Sequence, residues 1–394
     1  MAEPVMTYRI LTLNAISPRG LERLPPERYQ VGPDVTRPDA ILLRSADLHG
    51  APIAREVRAI GRAGAGVNNI PVALMSQRGI PVFNAPGANA NAVKELVLAG
   101  LFLAARNIGP AWLFARGLEG EDEAIEAAVE AGKKAFVGFE LPGRTLGVVG
   151  LGAVGVEVAN SALALGMKVL GYDPKITVQR AWQLSASVAQ AVSLEDLFAR
   201  CDVVTVHVPL NEATLGLVNA ARLALMKKEG TILNFARAAI VDEPAVLAAL
   251  DAGRLHSYIC DFPRRSLRDH PRVIALPHLG ASTGEAEENC AVMVAEQLRD
   301  YLENGNIRNS VNYPEAVLPR VPNTTRLGVA NRNVPNMVGQ ISTCLAAARI
   351  NIADLLNKSR GEYAYTLIDA EGAVSDELLA EICAIDGVLA ARIL

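Results

Sequence analysis

The stretch TLGVVGLGAVGVEVANSALALGMKVLGYDP, from Thr145 to Pro174, constrains the fold more than any other part of this chain. A short apolar run, Leu146 to Val149, reads as a strand, and Gly150, Gly152 and Gly155 follow it directly as G-x-G-x-x-G. Helical periodicity then carries to Leu165, and a second strand, KVLGYDP, ends at Asp173, eighteen residues after Gly155. Glycine-rich turns are common, so the spacing alone is weak. In a strand–turn–helix–strand context each glycine has a task. Gly150 makes the tight turn, Gly152 lets backbone approach a pyrophosphate, and Gly155 lets helix and strand pack closely. The helix start, at Ala153 and Val154, offers free N–H groups and the positive end of the dipole to phosphate. A carboxylate at Asp173 would accept from ribose hydroxyls and repel a 2′-phosphate, which favours NAD over NADP.

The same alternation extends on both sides. CDVVTVHVP, GTILNFAR and RVIALPH read as further strands, and strands alternating with helices imply a doubly wound parallel sheet. Upstream, Ala40–Leu43 and Ile80–Phe83 read as short parallel strands, and NANAVKELVLAGLFLAARN as a long buried helix. YPEAVLPRVP, residues 313–322, packs three prolines into ten positions and reads as a linker. The last seventy or so residues give strand, helix, strand, strand, helix, strand, the order of a split βαβ unit. The connection therefore marks 322–394 as a region of its own.

Composition removes several function classes. Net charge is −4 with no basic block, so neither nucleic acid nor an acidic membrane surface is an expected partner. The longest apolar stretch, Leu96–Ala105, is about half of a membrane span, and the N-terminus lacks a signal-peptide pattern. The five cysteines are scattered with no C-x-x-C pair, which suggests reduced thiols in the cytoplasm. No His/Cys/Asp cluster has metal-ligand spacing, so no metal is expected.

Arg237, in GTILNFARAAIVDEP, follows a sheet strand where open α/β sheets bind ligands, and His278 sits in PHLGAS at the end of another apolar run. With the dinucleotide motif, these segments closely resemble the D-isomer-specific 2-hydroxyacid dehydrogenases. The resemblance implies a Rossmann-type NAD domain over 92–283, a discontinuous flavodoxin-like substrate domain of 1–91 with 284–313, and a C-terminal α+β regulatory domain of the ACT type over 322–394. It implies that Arg237 grips the substrate carboxylate and that His278 exchanges the C2 hydroxyl proton. Val208 matches a cofactor-lining position, and His207, Pro209, Phe235, Ala236, Asp261, Gly280 and Ala281 are carried over as cofactor contacts. RAGAGVNNI, GIPVFNAPGANANAVKELV, HLGASTGEAEENC and NIRNSVNYP resemble the branch that oxidises 3-phospho-D-glycerate on the way to L-serine. Arg44, Ser45, Arg62, Asn84 and Asn89 would then meet substrate and its phosphate, although Arg44 and Arg62 also fit plain surface charge. A homodimer or homotetramer joined through the nucleotide domains is implied too. Another D-2-hydroxy acid as substrate, or an NAD-sensing protein without catalysis, remains as an alternative.

One departure stands out. The family continues after the arginine strand into L-D-V-F-x-x-E-P, whose glutamate pairs with the histidine. Here the text is YICDFPRRSL, which puts Arg265 or, with a one-residue gap, Ser266 at that position. Three accounts stay open: Asp261 holds the nicotinamide amide and also influences His278; Glu285 or Glu287 swings in; or His278 works unpaired. The first and third are favoured, because a helix at TGEAEENCAVMVAEQL should aim those glutamates elsewhere. In the tail, ANRNVPNMVGQI occupies the place of the family's serine-binding loop. Asn331, Asn333 and Asn351 would supply amides for L-serine; a dimerisation module without ligand is the other possibility.

Overall fold

Five short strands open the chain: β1 (Tyr8–Leu13), β2 (Tyr29–Gly32), β3 (Ala40–Leu43), β4 (Ala59–Arg62) and β5 (Val82–Phe83). The expected strand from Ile80 starts only after Pro81, whose nitrogen cannot donate to a ladder. All neighbours pair in parallel in the order β2-β1-β3-β4-β5, a flavodoxin-like arrangement. Strands buried on both faces need apolar side chains throughout, and AILL of β3 meets that need at every position. The helix Gly284–Asn304 returns late in sequence and buries Ala291, Val294, Leu298 and Leu302 against Ile10, Leu42 and Ala59. This computed structural model describes residues 7–394. One compact unit consists of the chain up to Asn89 with Gly284–Leu394, and a second of Ala90–Thr283.

The second unit holds β6 (Thr145–Val149), β7 (Lys168–Tyr172), β8 (Ala189–Gln190), β9 (Val203–Val206), β10 (Gly230–Asn234), β11 (Leu255–Cys260) and β12 (Val273–Ala275). Their order is β12-β11-β10-β9-β6-β7-β8, parallel throughout. Successive side chains of a strand face opposite sides. Val204 and Ile232 accordingly enter one apolar cluster, while Val203 and Leu233 enter another that also takes in Val97 and Leu101 of the helix Ala90–Ala105. Both faces are therefore covered. The sequence reading did not foresee the helices Ile108–Arg116 and Asp122–Gly132, neither of which buries a residue. No single helix among the described residues is long and apolar enough to cross a membrane.

The tail belongs to the first unit and forms an antiparallel sheet of β13 (Thr324–Arg332), β14 (Asn351–Arg360), β15 (Tyr363–Glu371) and β16 (Val388–Ile393). Its order is β14-β15-β13-β16, with helices Met337–Ala347 and Asp376–Cys383 packed through Ile341, Leu345, Leu378 and Ile382. The proline-rich connection is tied down. Arg326, fully buried, donates to the carbonyls of Leu318 (2.8 Å) and Pro319 (3.0 Å) and to both oxygens of Asp369 (2.6 Å each).

Candidate functional site

In an open parallel sheet, ligands bind beyond the carboxyl ends of the strands, where the order reverses. The reversal here lies between β9 and β6. Read along the edge from β12 to β7, the strand ends carry His278, Asp261, Arg237, His207, Gly150 and Asp173. Adjacent strands are about 4.8 Å apart, so the Arg237 and His278 segments, two strands apart, start roughly 10 Å from each other.

The glycine turn shows three separate constraints. Gly150 adopts φ +91°, and a Cβ there would lie 2.8 Å from the His207 carbonyl group and from Val208 Cγ1. At Gly155 a Cβ would sit 1.9 Å from the Gly150 carbonyl oxygen. Gly152, the residue capping the helix Ala153–Ala164, has nothing within 4 Å of its Cβ position. The protein itself does not require that third glycine. The space fits a pyrophosphate brought against the backbone and the exposed helix N–H groups. Asp173 accepts from Leu151 N–H and Lys175 N–H, 2.8 Å each, so it braces the turn with both oxygens and keeps a second lone pair on each. The His207 ring nitrogen Nε2 lies 2.9 Å from Thr205 Oγ1, and burial pushes the imidazole down to about 4. Phe235 divides between core and strand end. Its ring packs into the core beside Gly100 of the helix Ala90–Ala105, so only its main chain is left to face a cofactor.

Arg237 is exposed, with Nη1 donating to the Ala236 carbonyl at 2.6 Å. Its placement comes from Asn234, a residue with no assigned role in the sequence reading. The buried Asn234 amide donates to the Arg237 carbonyl (2.9 Å) and accepts from Ala236 N–H (3.2 Å), folding the strand end into a turn. His278 is exposed and left-handed at φ 58°, which costs about 1 kcal/mol in a non-glycine residue. Asp261 offsets that strain. Its oxygens accept from Leu279 N–H (2.7 Å) and Gly280 N–H (2.8 Å), the two residues after the histidine. At 1 % exposure the carboxylate is engaged by the loop through both oxygens. It steadies the histidine through main chain and not through the ring.

Among the described residues, no carboxylate bonds the His278 imidazole; its ring contact is Phe262, edge-on at 5.4 Å. Arg265 and Ser266, at the position of the absent glutamate, are exposed, and Ser266 lies 3.3 Å from Glu243. In the first unit Glu287 bonds Arg44 at 2.5 Å.

That unit gathers its own polar groups at the carboxyl ends of β3, β4 and β5. Arg62 Nε donates to the Arg44 carbonyl (3.0 Å), Ser45 N–H to Asn14 Oδ1 (3.0 Å), and Asn84 Nδ2 to the Ala65 carbonyl (2.6 Å). Asn14 and Asn69, absent from the sequence reading, fix the loop after β3; Asn69 donates to the Ala46 carbonyl at 2.7 Å. Asn89 is half-buried at the end of this segment.

In the tail the three amides do not meet within one chain. Asn331 pairs with Ala364 and Asn351 with Glu371, at opposite ends of β15. Seven residues of strand separate them, about 24 Å. Asn331 is buried, with its Nδ2 on the Arg332 carbonyl and its Oδ1 without a partner; Asn333 donates to Gly361, and Asn351 to Glu371.

Comparison with known proteins agrees with this geometry. The family model "D-isomer specific 2-hydroxyacid dehydrogenase, NAD binding domain" matches residues 109–280. A D-3-phosphoglycerate dehydrogenase of Haemophilus influenzae is 34% identical over 350 residues, covering 85% of this chain and 81% of that one. One from Synechocystis is 40% identical over 285 residues, 70% of this chain and 49% of the relative. As there, the chain spans about half the length of most of the curated relatives it matches. Among solved structures, an NAD+-bound 3-phosphoglycerate dehydrogenase of Entamoeba histolytica superposes with a TM-score of 0.60 at 26% identity. It covers 78% of this chain and 99% of its own.

Proposed function

We infer the reaction from kinship and geometry together: the chain belongs to the D-isomer specific 2-hydroxyacid dehydrogenase family and carries its NAD-binding domain. It oxidises 3-phospho-D-glycerate to 3-phosphohydroxypyruvate. The observation that carries this reading is the single row of strand ends bearing the glycine turn, Arg237 and the His278 loop. NAD supplies the hydride acceptor when bound. Arg237, always charged, holds the substrate carboxylate and draws charge toward the C2 oxygen as it develops. The C2 hydroxyl proton passes to the His278 imidazole as the C2 hydrogen leaves with its electron pair. Asn234 and Asp261 set the two main-chain turns from which those side chains project. Arg44 and Arg62 supply positive charge for the substrate phosphate, with Ser45, Asn84 and Asn89 as polar neighbours.

The tail is read as an ACT-type regulatory domain, residues 322–394. Because Asn331 and Asn351 lie at opposite ends of the sheet, an L-serine site built from all three amides takes Asn331 and Asn333 from one tail and Asn351 from a second. The five cysteines are all free thiols, in keeping with a cytoplasmic setting.

One assay tests these points. NADH formation from 3-phosphoglycerate and NAD is expected to fall about 10²-fold or more in His278→Ala and in Arg237→Ala. Asp261→Asn is expected to lose about tenfold, since it weakens one of two charge-assisted bonds to the loop. Excess L-serine should lower the wild-type rate. Faster turnover of a phosphate-free 2-hydroxy acid would reassign the substrate, and NAD binding without turnover of any acid would make the chain a sensor.

A further inference from the structure

We propose that the first unit contains a second binding site, a half-open cavity of about 510 Å³ that takes a small organic anion of metabolite size. The volume lies within the roughly 300–1,000 Å³ of small-molecule sites. One wall comes from the segments preceding β4 and β5, with Arg55, Val57, Arg58, Arg78, Gly79 and Ile80. The other comes from the tail sheet, with Gly328, Ala330, Tyr365 and the β16 run Leu389–Ile393.

Charge decides the class of ligand. Four guanidiniums line the cavity, those of Arg55, Arg58, Arg78 and Arg392, against the single carboxylate of Asp376. Arg58 has a counter-ion, Asp39 at 3.6 Å. The other three have no carboxylate partner among the described residues. Arg78 spends both terminal nitrogens on the carbonyls of Ile53 (3.1 Å) and Ala54 (2.7 Å). Arg392 lies 4.1 Å over the Tyr301 ring and donates to the Tyr301 and Leu302 carbonyls. Carbonyl acceptors satisfy donors without cancelling charge, so three arginines without carboxylate partners leave the cavity wall positive, which favours an anion.

A second observation concerns hydrogen bonding, not charge. Tyr365 is 1 % exposed and lines the cavity, and its hydroxyl, beside Arg392 and Tyr301, makes no well-aligned hydrogen bond among the described residues; neither does the buried Arg392 Nε. A buried polar atom left without a partner costs about 1–3 kcal/mol, and both atoms here are donors, so an acceptor-bearing ligand relieves both. The apolar lining of Val57, Ile80, Leu379, Leu389 and Ile393 gives the carbon body of such a ligand a place to lie. The site adjoins the amino ends of β4 and β5, whereas Arg62 and Asn84 stand at their carboxyl ends. An anion bound here therefore does not compete with one held there.

Calorimetry on the full chain with citrate as an organic anion and inorganic phosphate as a small one provides the test. Citrate is expected to bind once per chain, more tightly than phosphate. Arg55→Ala should weaken it about tenfold, with Arg55→Lys recovering part of the loss. Tyr365→Phe should weaken it about fivefold without lowering the melting temperature, because the hydroxyl it removes makes no well-aligned hydrogen bond within the chain. Arg237→Ala should leave citrate affinity as it was, which separates this site from the catalytic reading. Loss of citrate binding in Arg237→Ala but not in Arg55→Ala overturns the proposal, and so does failure of both anions to bind at millimolar concentration.

Discussion

Three glycines of one turn respond differently to the same change, because each faces a different neighbour. A methyl at Gly155 meets the Gly150 carbonyl oxygen at 1.9 Å, so Gly155→Ala must move backbone and is expected to cost about 3 kcal/mol or more. Gly152→Ala meets nothing within 4 Å. It should stay within about 0.5 kcal/mol of wild type in denaturant unfolding and yet bind NAD at least about tenfold more weakly. A Gly152→Ala chain that binds NAD normally would show that the open space is not the pyrophosphate site. This much was legible from spacing, since glycines in a strand–turn–helix context have few other uses. The histidine's missing glutamate was legible too, as Arg265 and Ser266 in YICDFPRRSL. The role of Asp261 was not. It depends on how the segment after β12 closes back on the end of β11, which brings Leu279 and Gly280 to a carboxylate eighteen residues earlier. The division of Phe235 was hidden for a similar reason: strand alternation turns its ring into the core while its backbone stays at the strand end.

Between elements, the least legible feature is the pair that ties the tail sheet to the connection before it. Arginine and aspartate ordinarily read as surface charge, yet Arg326 and Asp369, on the paired strands β13 and β15, are both 0 % exposed. Their register, Arg326 opposite Asp369, makes the pair possible, and sequence alone does not give antiparallel register. Burial by itself would raise the Asp369 carboxyl. The Arg326 hydrogen bonds, the Val321 N–H and the nearby positive charge outweigh it and hold the group below the ordinary carboxylate range. A depressed carboxyl contributes stability above its unfolded value, near 3.9, and loses it as pH falls through the folded value. Acid below about pH 4 is therefore expected to loosen the tail and its proline-rich connection. Asp369→Asn should destabilise by about 3–5 kcal/mol at neutral pH, because it leaves a buried guanidinium without its charge partner, and should flatten the acid limb of the melting profile. A melting temperature in Asp369→Asn equal to wild type at pH 7 would mean that the carbonyl acceptors of Asn304, Leu318 and Pro319 suffice for Arg326.

Across the molecule, the discontinuity of the first unit came from the family resemblance, whereas the doubly wound sheet and the βαββαβ tail follow from apolar periodicity, which is strong wherever an element is buried. The same reasoning was silent over residues 106–140, where the chain forms two helices that bury nothing. An amphipathic pattern identifies a helix by the core it faces, and these helices face none within their own unit. They instead expose apolar surface: Ile108, Trp112, Leu113, Val129 and Val137, with Trp112 at 57 % and Val137 at 77 %. Phe102, on the helix Ala90–Ala105, adds to that exposed set. A run of large apolar side chains left to water is uncommon on a monomer and marks an interface. A second copy of this chain is the expected cover, since homo-oligomers joined by one self-complementary face are the commonest assemblies. Sedimentation should then report at least a dimer for the wild-type chain. Trp112→Glu with Leu113→Glu should shift it toward monomer while the strand-end site, built on other elements, keeps its affinity for NAD. A monomeric wild type would leave those residues for a different partner. A dimer indifferent to both charges would place the contact on another face of the nucleotide-binding unit or on the exposed edge of β14.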